Sequence, residues 1–234
     1  MFQGTTGSQL DLRWKKRGGW LGTSLVNSVP AAPRKKDIEA AASATNLLGP
    51  QRLAPEYGEA GGTRTPGVVR SSSECGDFYA WLVQQRAPDT VVEFGSAFGV
   101  SGMYFAAGLE AAQRGHLYSF EINRDWAEIA ERNIRSISAR VTLTRGVFED
   151  HVAAVVPGTV DLALVDGIHT REFVMRQFEV LRPRMTRGGL IVFDDINFKR
   201  PNARMAEAWH DIVCTADVVG AVELGGRVGV VELV

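Results

Sequence analysis

Asp161-Leu162-Ala163-Leu164-Val165-Asp166-Gly167-Ile168-His169 is the stretch whose reading decides the fold. Its apolar run is short and continuous and ends at a turn signal, the pattern of a strand buried on both faces of a parallel sheet. Gly189-Leu190-Ile191-Val192-Phe193 repeats the pattern and runs into Asp194-Asp195. Carboxylates at the ends of two buried strands have no place in a core. In an open α/β sheet, however, the carboxyl ends of the strands form the ligand crevice. The sequence therefore predicts that three Asp carboxylates and one imidazole meet there. Three oxygen ligands suit a hard cation such as Mg²⁺, and a neutral His suits proton abstraction.

The same alternation extends in both directions. Strands are expected at 90–95, 117–122, 141–145, 161–166 and 189–194, and helices at 99–112, 124–137, 148–156, 170–184 and 203–214. Short connections between such elements define a doubly wound parallel sheet with right-handed crossovers. The chain then changes character. Asp217 to Leu224, the pair Gly225-Gly226, and Arg227 to Val234 read as two strands joined by a tight turn. The expected fold is thus α/β and Rossmann-like, with a seven-stranded sheet that is mostly parallel and closes on a C-terminal antiparallel hairpin.

With 234 residues, 45% of them apolar, and a formal charge of −1, the chain is long enough for one well-filled core. The near-neutral balance gives no reason to expect a nucleic-acid partner, and the basic patch Arg13, Lys15, Lys16 and Arg17 reads as a solvated tail. Cys75 and Cys214 have no metal or redox spacing, which favours a reducing compartment. No apolar run has the length of a membrane span, so no membrane partner is expected and the cytoplasm is the expected location.

Residues 1–70 differ in composition, being rich in Gly, Ser, Thr, Pro and basic side chains, with one expected helix from Asp37 to Leu48. They are expected to form an N-terminal extension, either a lid, a dimer arm or a partly flexible segment, ahead of a catalytic domain over 71–234. Such an arm makes a homodimer the expected assembly. Ser71-Ser72-Ser73-Glu74 has the form of a capping box and opens a helix carrying Phe78, Trp81, Leu82 and Val83.

Val91-Val92-Glu93-Phe94-Gly95-Ser96-Ala97-Phe98-Gly99 runs from a strand through a glycine turn into a helix, so backbone amides can approach a ligand closely. Ala97 and the wide spacing argue against a pyrophosphate loop, which makes a nicotinamide oxidoreductase the weaker reading. Glu93 is placed to meet a cationic ammonium. Glu121 ends the next strand, where an acidic residue accepts hydrogen bonds from ribose hydroxyls. After the third strand, Gly146 allows close approach, and Phe148 either packs on an adenine face or belongs to the core.

This ordered set resembles the class I S-adenosylmethionine-dependent methyltransferases. More narrowly, Asp166, His169 and Asp194-Asp195 look like the metal-dependent O-methyltransferases, including catechol O-methyltransferase and enzymes that methylate macrolide sugars. The resemblance spans about residues 70 to 234. It implies that S-adenosylmethionine is held by Ser72, Glu93, Gly95, Ser96, Gly99, Ser101, Glu121, Gly146, Phe148 and Asp166. It also implies that Asp166, Asp194 and Asp195 bind Mg²⁺ and that His169, with Asp166, is catalytic. Many relatives carry an acidic residue where Val147 stands, so adenine recognition here is expected to fall to backbone groups, Glu149 or Asp150.

A sulfonium methyl is already activated, so the protein's task is to orient an oxygen nucleophile and take its proton. The expected activity is Mg²⁺-dependent methylation of a hydroxyl on a small molecule, such as a phenol, catechol or sugar of secondary metabolism. Asn197, Lys199 and Arg200 either line the acceptor pocket or form a solvated loop. Two alternatives stand beside this reading: a metal-independent N-methyltransferase, which has no need of the acidic cluster, and a non-catalytic S-adenosylmethionine-binding regulator.

Overall fold

The computed structural model describes residues 7–57 and 62–234, and a central sheet of eight strands organises them. In chain order the strands are β1 (Leu12–Lys16), β2 (Thr90–Phe94), β3 (His116–Glu121), β4 (Val141–Arg145), β5 (Val160–Val165), β6 (Met185–Phe193), β7 (Val218–Leu224) and β8 (Val228–Leu233). Across the sheet they run β1-β7-β8-β6-β5-β2-β3-β4. The five strands from β6 to β4 are mutually parallel, and β8, β7 and β1 add in antiparallel fashion.

The expected strands and the hairpin are present. β6 is longer than expected, starting at Met185, with a register shift between Met185 and Leu190 around Gly188-Gly189. Successive residues of the parallel strands serve opposite cores, as the pleat requires. Val91, Leu162 and Leu164 join one apolar cluster, while Val92, Ala163 and Val165 join the other. The first cluster is covered by α1 (Gly19–Ser24), α2 (Lys35–Asn46), α4 (Ser73–Arg86), α5 (Val100–Ala112) and α6 (Arg124–Ile137). The short α3 (Pro66–Val69) precedes α4, and α7 (Phe148–Val155), α8 (Arg171–Leu181) and α9 (Met205–Cys214) cover the other face.

The sheet has one strand more than the seven expected. The patch read as a solvated tail is this edge strand, β1, paired with β7 through Leu12↔Leu224 and Trp14↔Val222. Leu12 and Trp14 pack against the core while Arg13 and Lys15 face solvent, and Lys15 Nζ reaches Glu223 Oε1 at 3.1 Å. Charges on alternate positions are how a sheet edge resists further pairing, and they disguise the strand's apolar half.

Two buried carboxylates tie the N-terminal segment to this framework. Asp77 on α4 accepts from Ser8 Oγ (2.7 Å), the Ala32 amide (2.9 Å) and Lys35 Nζ (2.7 Å). Glu232 on β8 accepts from the amides of Trp20 (2.9 Å) and Leu21 (2.8 Å), satisfying the free N–H groups that open α1. The helix expected at Asp37–Leu48 is α2, displaced to Lys35–Asn46. The residue capping α4 is Ser72, whose Oγ accepts from the Cys75 amide at 3.3 Å, so the cap lies one position beyond Ser71. Residues 1–6 and 58–61 of the expected extension lie outside the described residues. Among the described residues, no helix is long and apolar enough to cross a membrane.

Candidate functional site

β2, β3 and β4 succeed one another towards one edge, whereas β5 lies on the other side of β2, so the topological switch point falls between β2 and β5. There the two loops press together. Gly95 has φ +82°, and a Cβ at this position would lie 2.0 Å from the Asp166 carbonyl oxygen, so only glycine fits. The Asp166 amide donates to the Phe94 carbonyl at 3.0 Å, and the Gly95 and Ser96 amides share the Phe120 carbonyl. This junction floors a cavity of about 360 Å³ whose walls include Gly95, Asp166, His169, Asp194 and Asp195.

Glu93 does not face that cavity. It is fully buried beneath the glycine turn, where its two carboxylate oxygens accept from Ser101 Oγ and Ser119 Oγ, each at 2.5 Å. Burial pushes its pKa up, and the serine hydroxyls pull it back. The expected ammonium contact is therefore corrected to a supporting role: the side chain follows the strand pleat inward and anchors α5. Ser72 is likewise engaged as a helix cap, and Gly99, at φ +84°, starts α5. Ser96 and Ser101 border a narrow cleft together with Ser71, Gly95 and Asp166, and the buried Ser96 hydroxyl has no hydrogen-bond partner there.

Glu121 ends β3 as expected. Its Oε2 accepts from the Ala97 amide at 2.7 Å, and its Oε1 accepts from the Asn123 amide at 2.8 Å and the Tyr57 hydroxyl at 3.2 Å. Burial pushes its pKa up to about 7 against the pull of these donors. Beyond it lies a second cavity of about 220 Å³, lined by Phe120, Ile122, Gly146, Val147, Phe148 and Gln177 among others. Phe148 is a core residue against Phe94 and Phe120 that also forms part of the cavity wall. Two buried acceptors in this wall, Glu149 Oε1 and Gln177 Oε1, have no hydrogen-bond partner. Asp150 is exposed and lines none of these cavities. An apolar slot with unpaired acceptors fits an amino-bearing purine, and the orphaned Ser96 hydroxyl near Asp166 fits a polar amino-acid end.

His169 stands in the first cavity with Nε2 3.5 Å from Asp166 Oδ1 and 4.0 Å from Asp195 Oδ2. Burial lowers its pKa, so the imidazole is neutral at neutral pH. Asp166 moves the other way: burial first, then the charges of Asp194 and Asp195, hold its pKa well above the usual carboxylate range. Asp195 has φ +51°, a left-handed conformation in an acidic residue beside the reactive groups.

Arg227, from the turn between β7 and β8, closes on this cluster. Its Nε and Nη2 lie 3.1 and 2.8 Å from the two oxygens of Asp194, and its Nε is also 3.0 Å from Asp195 Oδ1. Two of the three carboxylates expected to ligate Mg²⁺ are thus already paired with one guanidinium. Among the described residues, no group of three or more His, Cys, Asp or Glu side chains is placed to hold a metal ion. In this arrangement the residues do not fit a divalent cation.

Arg227 and Tyr57 are the site residues that the sequence did not disclose. Each reaches the crevice through long-range packing that no local sequence pattern encodes. Arg200 lines the first cavity, whereas Asn197 donates from Nδ2 to the Gly226 carbonyl at 2.6 Å.

Residues 92–196 match the family model described as a methyltransferase domain. The matched stretch is just under half of the chain, and beyond it the likeness to known proteins is one of fold. The fold is shared with the O-methyltransferase of Bacillus cereus, solved in complex with SAH (16% identity, TM-score 0.65, covering 91% of this chain and 95% of that one). It is shared too with TomG of Streptomyces achromogenes, an O-methyltransferase involved in tomaymycin synthesis and solved in complex with SAM (15%, 0.63, 86% and 91%). A methyltransferase from Geobacter sulfurreducens is similar to the same degree (15%, 0.62, 84% and 90%). The search of curated proteins gave no match.

Proposed function

We propose that this protein transfers the methyl group of S-adenosylmethionine to a hydroxyl of a small, partly apolar molecule, such as a phenol, catechol or sugar of secondary metabolism. The observation that carries the reading is the continuity of the two cavities. Tyr57, Gly95, Gly167 and Ile168 line both, so a slot suited to adenosine opens directly onto the chamber that holds His169. The neighbours solved with SAM or SAH and named O-methyltransferases support the same chemistry.

In this reading Glu121 receives the ribose hydroxyls, Glu149 and Gln177 accept from the adenine amino group, and Ser71, Ser96 and the Gly95 turn meet the amino-acid end. The cofactor supplies an electrophilic methyl on a positively charged sulfur. Leu53, Val68, Trp126 and Phe198 give the acceptor chamber apolar walls, with Arg64 and Arg200 at its polar side. His169 takes the acceptor's proton as the methyl group passes from sulfur to oxygen, the S–C bond breaking as the O–C bond forms, and the Asp195 carboxylate stabilises the resulting imidazolium. Mg²⁺ has no step in this mechanism, because Arg227 already pairs with Asp194 and Asp195.

The test is calorimetric titration of S-adenosylmethionine into wild type and Glu121→Ala, followed by turnover with a panel of hydroxylated acceptors. Binding that Glu121→Ala weakens at least tenfold, with methyl ethers as products, is the expected result. No binding, or products methylated only on nitrogen, overturns the reading.

A further inference from the structure

We propose that the Arg227 guanidinium is the resident cation of the acidic cluster and that it and a divalent ion exclude one another on Asp194 and Asp195. The inference deepens the methyltransferase reading and rests on it for the meaning of the cluster, but not for the geometry. Three features hold the guanidinium in place.

The first is register. β6 and β8 pair antiparallel up to Phe193 opposite Gly229, so the residues that follow β6 and those that precede β8, Asp194-Asp195 and Arg227, emerge at the same end of the pair. The second is the backbone of the turn. The Ile196 amide donates to the Arg227 carbonyl at 2.9 Å, and Asn197 Nδ2 donates to the Gly226 carbonyl at 2.6 Å, so the hairpin tip is fastened to the loop that carries the carboxylates. The third is the fork itself. Nε and Nη2 span both oxygens of Asp194, whose side chain is only 5% exposed, and Nε also reaches Asp195, an arrangement that a planar guanidinium supplies and an ammonium does not.

A hard divalent ion wants carboxylate oxygens turned towards a single point at about 2.0–2.6 Å. Here the oxygens of Asp194 point at Arg227 instead. An ion entering the cluster must expel the guanidinium from a bidentate pair on a nearly buried carboxylate, which penalises metal binding. The Arg227 side chain, 48% exposed, has solvent to move into, so the exclusion works as a competition.

Mn²⁺ is the probe, titrated into the full chain while unbound ion is followed by electron paramagnetic resonance. Wild type is expected to show no saturable site below millimolar concentration. Arg227→Gln is expected to gain a single site at least tenfold tighter than any in wild type, and Arg227→Gln combined with Asp194→Asn to lose it. Arg227→Lys, whose point charge cannot bridge both carboxylates, should fall between wild type and Arg227→Gln. Micromolar binding by wild type, or equal affinity in wild type and a folded Arg227→Gln, overturns the proposal; if Arg227→Gln does not fold, wild type and Arg227→Lys decide it. Calorimetry with S-adenosylmethionine on the same samples keeps the two readings apart, because loss of cofactor binding in wild type defeats the methyltransferase reading while the Mn²⁺ comparison still stands.

Discussion

The Tyr57 hydroxyl donates to Glu121 Oε1 at 3.2 Å, joining residues that stand far apart in the chain at the carboxylate to which the proposed function assigns the ribose. The ring packs on Trp126, with centroids 5.8 Å apart, so the hydroxyl is delivered by a fixed aromatic. Glu121 already accepts from two backbone amides. A ribose hydroxyl arriving at Oε1 has to replace Tyr57.

Tyr57→Phe removes the competitor and keeps the ring. A hydrogen bond to a charged group is worth about 1.5–3 kcal/mol at most, and part of that is recovered by solvent. The variant is therefore expected to bind S-adenosylmethionine more tightly, by about two- to tenfold, in a calorimetric titration. A large loss of affinity would show instead that the hydroxyl contacts the cofactor.

Glu121 also sets a pH dependence. Burial raises its pKa from 4.5 to about 7 in the unliganded protein. For an acid shifted upward, the stabilising contribution is complete below the unfolded value and is lost as the pH rises through about 7. Ribose hydroxyls donate to the ionised carboxylate and favour it, so binding below pH 7 must release a proton. Cofactor affinity should rise by up to about tenfold per pH unit on approaching pH 7 and then level off. Glu121→Gln should bind weakly with a flat profile, and calorimetry in buffers of different ionisation enthalpy reads the released proton directly.

Much of the fold was legible because buried parallel strands are written as uninterrupted Val, Leu and Ile, as in β5 and β6, and because strand ends bearing Gly95, Glu121, Asp166 and Asp194 mark the crevice. Orientation was harder. Glu93 and Glu121 both end strands with an acidic side chain, yet the pleat turns Glu93 inward onto Ser101 and Ser119 and leaves Glu121 to Tyr57. β1 escaped notice because its apolar positions are only Leu12 and Trp14, set between charges. Arg227 escaped for a different reason: its neighbourhood is fixed by the β6–β8 register, which no local pattern encodes.

Asp77 is the stability test for the N-terminal segment. It is fully buried and accepts from Ser8, Ala32 and Lys35, so it fastens two stretches of that segment to α4 at one point. Asp77→Ala strands the Ala32 amide and the Lys35 ammonium, the latter 19% exposed and able to regain some water. Loss of one partner from such a pair costs about 3 kcal/mol. Chemical denaturation should register that loss, with a similar midpoint shift whether or not S-adenosylmethionine is present.

His169 separates binding from chemistry. Its Nε2 faces Asp166 and Asp195 in the first cavity, and its ring lies 5.5 Å from Phe198, whereas the second cavity, proposed to take adenosine, is lined by other side chains. His169→Ala should leave the cofactor dissociation constant within about twofold and lower kcat by about 10²- to 10⁴-fold, the usual contribution of a positioned base. The pH profile supplies an independent sign. Burial lowers the imidazole pKa below its ordinary 6.5, so the reactive neutral form persists under mildly acidic conditions. The rate should fall only as the pH drops through that lowered value, and the acid limb of kcat should lie below pH 6.5. An acid limb above 6.5 would mean that the carboxylates around His169 hold the proton on the ring, making the residue a counter-ion to the cluster and leaving the acceptor's proton to another group.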